Sequence, residues 1–139
     1  MEMTFIDTHT HLNDSVYENG GEDAVRKALA AGIGMMILPG TSLLELPLMK
    51  ALVAKFPESL RMFAGLHPTE LTDDPAAALE IIKQELDTPG LPYVGVGEIG
   101  IDLHEDPSHR ERQMDAFEAQ CLMALERDLP INIHCRDGL

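Results

Sequence analysis

Tryptophan is absent from this 139-residue chain, and only four Phe and two Tyr supply aromatic surface. A platform on which nucleic-acid bases stack needs more than that. Positive charge is scarce as well: 10 Lys and Arg stand against 24 Asp and Glu, for a formal net charge of −14. Such a chain repels phosphate backbones at long range and presents no basic patch. Any contact with nucleic acid would therefore need metal ions at the point of contact. Cys121 and Cys135 are the only cysteines, so no disulfide framework is indicated and two reduced thiols are expected. No apolar run approaches the roughly 18 residues of a membrane span. The opening Met-Glu-Met-Thr lacks the basic and apolar regions of a secretory leader. The expectation is a cytoplasmic protein without a membrane partner, and most of the acids read as helix surface that aids solubility.

What is present is regular. The length suits one domain over 1–139, and a hydrophobic content of 45% supports a buried core. Five short apolar runs fit buried strands: Thr4–Asp7, Gly34–Leu38, Arg61–Gly65, Tyr93–Glu98 and Ile131–His134. They start 30, 27, 32 and 38 residues apart, the size of a strand plus a crossover helix. Met35-Met36-Ile37-Leu38 is continuously apolar, as in a parallel strand covered on both faces.

Four helices are expected between them. Glu22–Ala31 stripes Ala24, Val25, Ala28 and Leu29 along one face and stops at Gly32. A second runs from Ser42 to Lys55, with Ser42 and Glu45 spaced as a capping box and Pro47 blurring its start. A third opens on Asp74-Pro75 and runs to Leu86. A fourth opens on Asp106-Pro107 and places Met114, Phe117, Cys121, Leu122 and Leu125 on a 3.6-residue period as its buried stripe. On that stripe Cys121 reads as a packing residue rather than a reactive thiol. Alternation of strand and helix argues an α/β fold with a parallel sheet. A closed eight-fold barrel takes about 250 residues, so this length corresponds to somewhat over half of one.

Chemistry in such folds gathers at the C-terminal ends of the strands. There the chain places Asp7, His9 and His11 at every second position, so that two imidazoles on one side of an extended strand can grip one cation. The second strand ends in Pro39-Gly40-Thr41-Ser42, which reads as turn and cap chemistry. The third ends in Gly65-Leu66-His67-Pro68, with His67 either a structural turn or a substrate contact. The fourth ends on Glu98, flanked by Gly95, Gly97 and Gly100; a carboxylate there is costly unless paired or bound to a cation, and the ligand reading is preferred. The fifth ends on Asn132, His134 and Arg136, which share a face. His134 is read as a ligand, and Arg136 either meets a phosphate or pairs with an acid. Asp7 is expected to orient a histidine through its other ring nitrogen rather than to ligate. Asp102 is either a loop cap or a site residue, and His104 and His109 are surface.

Taken together, Asp7-Thr8-His9-Thr10-His11-Leu12, Gly65-Leu66-His67-Pro68, Val96-Gly97-Glu98-Ile99-Gly100-Ile101-Asp102, Gln113 to Gln120, and Pro130-Ile131-Asn132-Ile133-His134-Cys135-Arg136 resemble the TatD family of metal-dependent deoxyribonucleases, in family order across the whole chain. The resemblance implies an amidohydrolase-type TIM barrel, here a partial (β/α)8 barrel. It also implies two divalent metal ions, Mg, Mn or Zn, and hydrolysis of phosphodiester bonds at DNA ends. Carried over, His9 and His11 would hold one metal, Glu98 would bridge both as the catalytic carboxylate, and His134 would hold the second. His67, Arg136 and Asp102 would contact substrate. The pattern further asks for a histidine on the next strand and an aspartate, the expected general base, on the last. This sequence has neither, so a piece of a longer barrel, or one completed by a second copy or a separate chain, is expected. Two other readings remain: a hydrolase of a small cyclic amide or ester using the same metals, and a non-enzymatic module that forms oligomers.

Overall fold

The structure is a computed structural model that describes residues 4–138. Five strands, β1 (Phe5–Asp7), β2 (Ile33–Leu38), β3 (Leu60–Ala64), β4 (Tyr93–Asp102) and β5 (Ile131–Arg136), alternate with four helices, α1 (Glu22–Ala30), α2 (Leu46–Lys55), α3 (Ala76–Asp87) and α4 (Arg110–Glu126). The strands lie side by side in chain order, each parallel to the next. Sequential neighbours joined by crossover helices wind in one sense only, which is the arrangement of a barrel wall. The molecule is half of a (β/α)8 barrel.

The core forms between the sheet and the helices that cover it. Val25 of α1 and Met49, Leu52 and Val53 of α2 pack with Met36, Leu38, Leu60 and Met62 of β2 and β3. Ile82 of α3 joins Leu46, Ala64 and Leu66. Ala124 of α4 joins Val96 and Ile99, with Phe117 and Cys121 alongside. The interior strands β2 to β4 carry this core, whereas Phe5 and Ile6 of β1 and Ile131 and Ile133 of β5 are exposed. Near-continuous burial therefore holds for β3 and β4, whereas β2 alternates half-buried Met35 and Ile37 with buried Met36 and Leu38, and the edge strands are largely exposed.

Three sequence expectations need correction. The Ser42–Glu45 capping box does not form: α2 begins at Leu46 with Pro47 in its first turn, and no side chain caps it. Pro47 lacks an N–H and constrains the residue before it, so the helix starts where that loss costs nothing. β4 runs four residues beyond Glu98, to Asp102, because β5 continues alongside it as far as Arg136. The apolar stripe of α4 is buried only in part: Phe117 and Cys121 pack beside the core. Met114, Leu122 and Leu125 are exposed, Leu125 at 77%, while Gln113, Ala116, Gln120 and Ala124 are buried. The physical reason lies in the loops beneath. Gln120 accepts from the Leu66 backbone N–H (2.7 Å) and donates to the Leu66 carbonyl (3.2 Å). Gln113 does the same for Asp102 (2.8 and 3.0 Å). Two buried strand ends need partners for their backbone groups, and carboxamides supply both a donor and an acceptor. The small Ala116 and Ala124 let the helix approach.

Candidate metal centre

The strand ends meet at one rim. β1 stops at Asp7, so His9 and His11 lie in the bend beyond it rather than on the strand. The bend still runs beside β2, where the Thr10 N–H donates to the Ile37 carbonyl (3.2 Å). It brings His9 Nε2 and His11 Nε2 to 3.2 Å. Glu98 stands opposite, its Oε2 3.4 Å from His9 Nε2 and 3.8 Å from His11 Nε2. The other oxygen, Oε1, lies 3.2 Å from His134 Nδ1 and 3.9 Å from His67 Nε2. One carboxylate thus faces a histidine pair with each of its oxygens. These residues form two groups whose ligand atoms are close enough to hold a cation, His9–His11–Glu98 and His67–Glu98–His134.

The donor set fits such ions. Ligand atoms about 2.0–2.1 Å from a tetrahedral zinc lie roughly 3.3 Å from one another, and the separations of 3.2, 3.4 and 3.8 Å in the first group are of that size. Glu98 is 8% exposed, and among the described residues its charged or chargeable partners are imidazoles, with no Lys or Arg. A buried carboxylate so placed is expensive without a cation.

Backbone geometry explains why Glu98 can sit there. Gly40, at the end of β2, donates its N–H to the Gly97 carbonyl (2.9 Å) and accepts the Glu98 N–H at its own carbonyl (2.6 Å), reaching across β3. The Thr41 carbonyl accepts from the His67 N–H (2.8 Å). The Pro39–Ser42 segment, read from sequence as turn chemistry alone, therefore seats both Glu98 and His67. Gly100 has φ +151, and a Cβ on it would meet the His134 carbonyl oxygen at 1.8 Å. Glycine is needed where β4 and β5 come this close.

Outer hydrogen bonds set the imidazoles. His9 Nδ1 lies 3.2 Å from Asn132 Oδ1, a carbonyl-type acceptor that draws the ring proton to Nδ1 and leaves Nε2 free toward Glu98. Asp102 Oδ2 lies 2.8 Å from His134 Nε2 and leaves Nδ1 free in the same way. The other Asp102 oxygen accepts from the backbone N–H groups of His104 (3.1 Å) and Glu105 (2.9 Å), so this residue caps the loop and contacts the His134 ring at once. Burial works to raise its pKa, but the Glu105 N–H and His134 together hold the carboxyl below its ordinary value. Burial, aided by the neighbouring His134, pushes His67 below the usual histidine range.

Two assignments change. Among the described residues Asp7 bonds no ring nitrogen: its Oδ1 accepts from the His9 backbone N–H (3.1 Å). A short carboxylate two residues back bonds the local backbone more readily than a side chain beyond it. Asn132 has the orienting part instead, and its signal in the sequence was its place on the His134 face. Arg136 resolves toward the acid, with Nη1 3.1 Å from Glu105 on the surface. His67, expected near substrate or in a turn, stands beside Glu98 and His134 with its ring centroid 4.2 Å from that of His134. An open cavity of about 210 Å³ lined by His11, Thr41, His67, Thr69, Glu70 and Glu98 leads to it. His104 and His109 are surface residues paired with Asp137 and Asp106. Cys121 and Cys135 are free thiols.

Residues 6–139 match the family model described as TatD related DNase. The chain belongs to the TatD family. Among its relatives, the uncharacterized metal-dependent hydrolase YjjV of Escherichia coli K12 is 34% identical over 136 residues, which are 98% of this chain and 52% of that protein. The 3'-5' ssDNA/RNA exonuclease TatD of Escherichia fergusonii is 33% identical over 133 residues, 96% of this chain and 50% of that protein. The crystal structure of Escherichia coli YjjV superposes with a TM-score of 0.83 at 33% identity, covering 96% of this chain and 51% of the other. The chain spans about half the length of the TatD relatives it matches. Among the described residues, no helix is long and apolar enough to cross a membrane.

Proposed function

We propose that the rim binds two divalent cations, Mg, Mn or Zn, and serves hydrolysis of phosphodiester bonds in DNA. The single observation that carries this reading is the division of Glu98, one oxygen toward His9 and His11 and the other toward His134. His9, His11 and Glu98 would hold the first ion, and Glu98 and His134 the second. When bound, the pair supplies Lewis acidity, lowering the pKa of water and stabilising negative charge on a phosphoryl oxygen. The chain's own part is preorganisation. Asn132 and Asp102 keep ring protons on the outer nitrogens of His9 and His134, Asp7 anchors the His9 backbone, and Gly40 seats Glu98. A strand end entering the open cavity beside His67 would meet cations in an otherwise acidic molecule, a local answer to the net charge of −14.

Further strands would complete the site. The exposed Phe5 and Ile6 of β1, Ile131 and Ile133 of β5, and Met114, Leu122 and Leu125 of α4 offer apolar surface to them. The further strands could come from the same polypeptide, a second copy or a separate chain, and relatives about twice as long favour the first. A second reading, hydrolysis of a small cyclic amide or ester, is favoured by the acidic charge, which does not steer polyanions.

Metal content and hydrolysis measured on the purified chain test both. The expected result is two equivalents of Mn or Zn, one lost in H9N, one in H134N and both in E98Q. Turnover of single-stranded oligonucleotides is expected to be slow and to stop with chelator. Equal metal content in E98Q and wild type would end the bridging assignment. Turnover of cyclic amides alone would move the substrate to the second reading, and fast turnover by the monomeric chain would refute the need for completing strands.

A further inference from the structure

The three histidines beside Glu98 with outer partners do not have partners of one kind. Asn132 and Asp102 present oxygens to His9 and His134. His67 instead meets a donor. It caps the short turn Pro68–Glu70, where the Thr69 backbone N–H donates to His67 Nδ1 (3.2 Å) and the Thr69 hydroxyl lies 2.7 Å from the same nitrogen. A ring nitrogen that accepts a backbone N–H carries no proton of its own. In a neutral imidazole the proton is then on the other nitrogen. That nitrogen, Nε2, faces the Glu98 carboxylate and the cavity. With a proton there it has no lone pair for a metal, although its position makes it look like a third ligand beside Glu98 and His134.

We propose that Thr69 is a positioning residue that holds His67 as an Nε2–H donor, which keeps this ring out of metal coordination and aims it at a phosphoryl oxygen bound next to Glu98. The backbone amide selects the tautomer, and the hydroxyl fixes the angle of the ring. Phosphodiester oxygens are acceptors only, so a donor at this place suits them. This rests on the proposed reaction for the identity of the oxygen, but not for the state of the ring.

Nitrogen-15 spectra of histidine-labelled chain test it. Without metal, His67 is expected to show a protonated Nε2 and an unprotonated, hydrogen-bonded Nδ1. In T69V the Nδ1 resonance moves toward that of an unbonded nitrogen while Nε2 stays, and T69S restores it. On titration with zinc alone, His9 Nε2 and His134 Nδ1 shift to metal-bound values and His67 Nε2 keeps its proton. H67N should change zinc affinity less than about threefold, against the roughly ten- to hundredfold loss that disturbing a ligand's support causes. Dimethyl phosphate should then move the His67 Nε2 resonance, with affinity reduced several-fold in T69V. A proton on Nδ1, a metal-bound His67 Nε2, or an Nδ1 resonance indifferent to T69V would each overturn the assignment. Failure of zinc uptake with the His67 proton still on Nε2 would instead count against the metal reading, and dimethyl phosphate would then be titrated into the metal-free chain to decide the donor role.

Discussion

Substitution of Asp102 by asparagine probes how far metal affinity depends on a residue outside the proposed ligand set. Asp102 is 2% exposed and serves two groups, the paired backbone N–H donors of His104 and Glu105 and the His134 ring at 2.8 Å. An asparagine cannot serve both. With its oxygen kept on the two N–H groups, its amide presents a donor to His134 Nε2. The ring proton then moves to Nδ1, and the lone pair facing Glu98 is lost. Turned the other way, the amide presents hydrogens to two backbone donors. Either arrangement costs about as much as loss of an outer hydrogen bond to a metal-bound histidine, a 10–100-fold drop in affinity or about 1.4–2.7 kcal/mol. Zinc titration calorimetry on D102N measures it directly. E105Q serves as the charge control: it removes one negative charge near the same rim, at the exposed pair with Arg136, and should change affinity less than about threefold in ordinary salt. A D102N affinity within the range of E105Q would refute the claim that Asp102 acts through the His134 tautomer.

Two predictions concern the frame rather than the ions. Q120M keeps the volume of a fully buried side chain but leaves the Leu66 N–H and carbonyl without partners. At about 1–3 kcal/mol for each orphaned group, denaturant unfolding should show a loss of roughly 2–6 kcal/mol, and a loss below about 1 kcal/mol would show that Leu66 finds other partners. The second concerns pH. Hydrogen bonds from Arg127 hold the Asp87 carboxyl below its ordinary value, so its contribution is present above the unfolded pKa and disappears as pH falls through the depressed one. The difference in Tm between wild type and D87N should therefore shrink as pH is lowered from about 5 to about 2. A difference that grows on acidification would reverse the sign of the argument.

The α/β class, the five strands and their parallel order were legible because each is a local property. An apolar run of about five residues, a Gly or Pro stop and a 30-residue repeat arise from neighbours in the chain. The gathering of His9, His11, Glu98 and His134 followed from topology alone, since parallel strands put their C-terminal ends on one rim. Other features needed coordinates. The α4 apolar period named Met114, Leu122 and Leu125 as core, yet the helix turned its two glutamines inward. Periodicity records where hydrophobic side chains fall and says nothing of which backbone groups across the gap lack partners. Likewise nothing in Pro39-Gly40-Thr41 announces that its peptide groups support Glu98, 58 residues on.

By itself the sequence determined the alternation of elements and the set of residue types proposed as metal ligands. The chain chemistry that governs them, hydrophobic burial and backbone propensity, acts over a few residues. Only the tertiary structure decided how each imidazole is held. The proton on a histidine goes to whichever nitrogen faces an acceptor, and those partners, Asn132 for His9, Asp102 for His134 and Thr69 for His67, become neighbours only when the chain is folded.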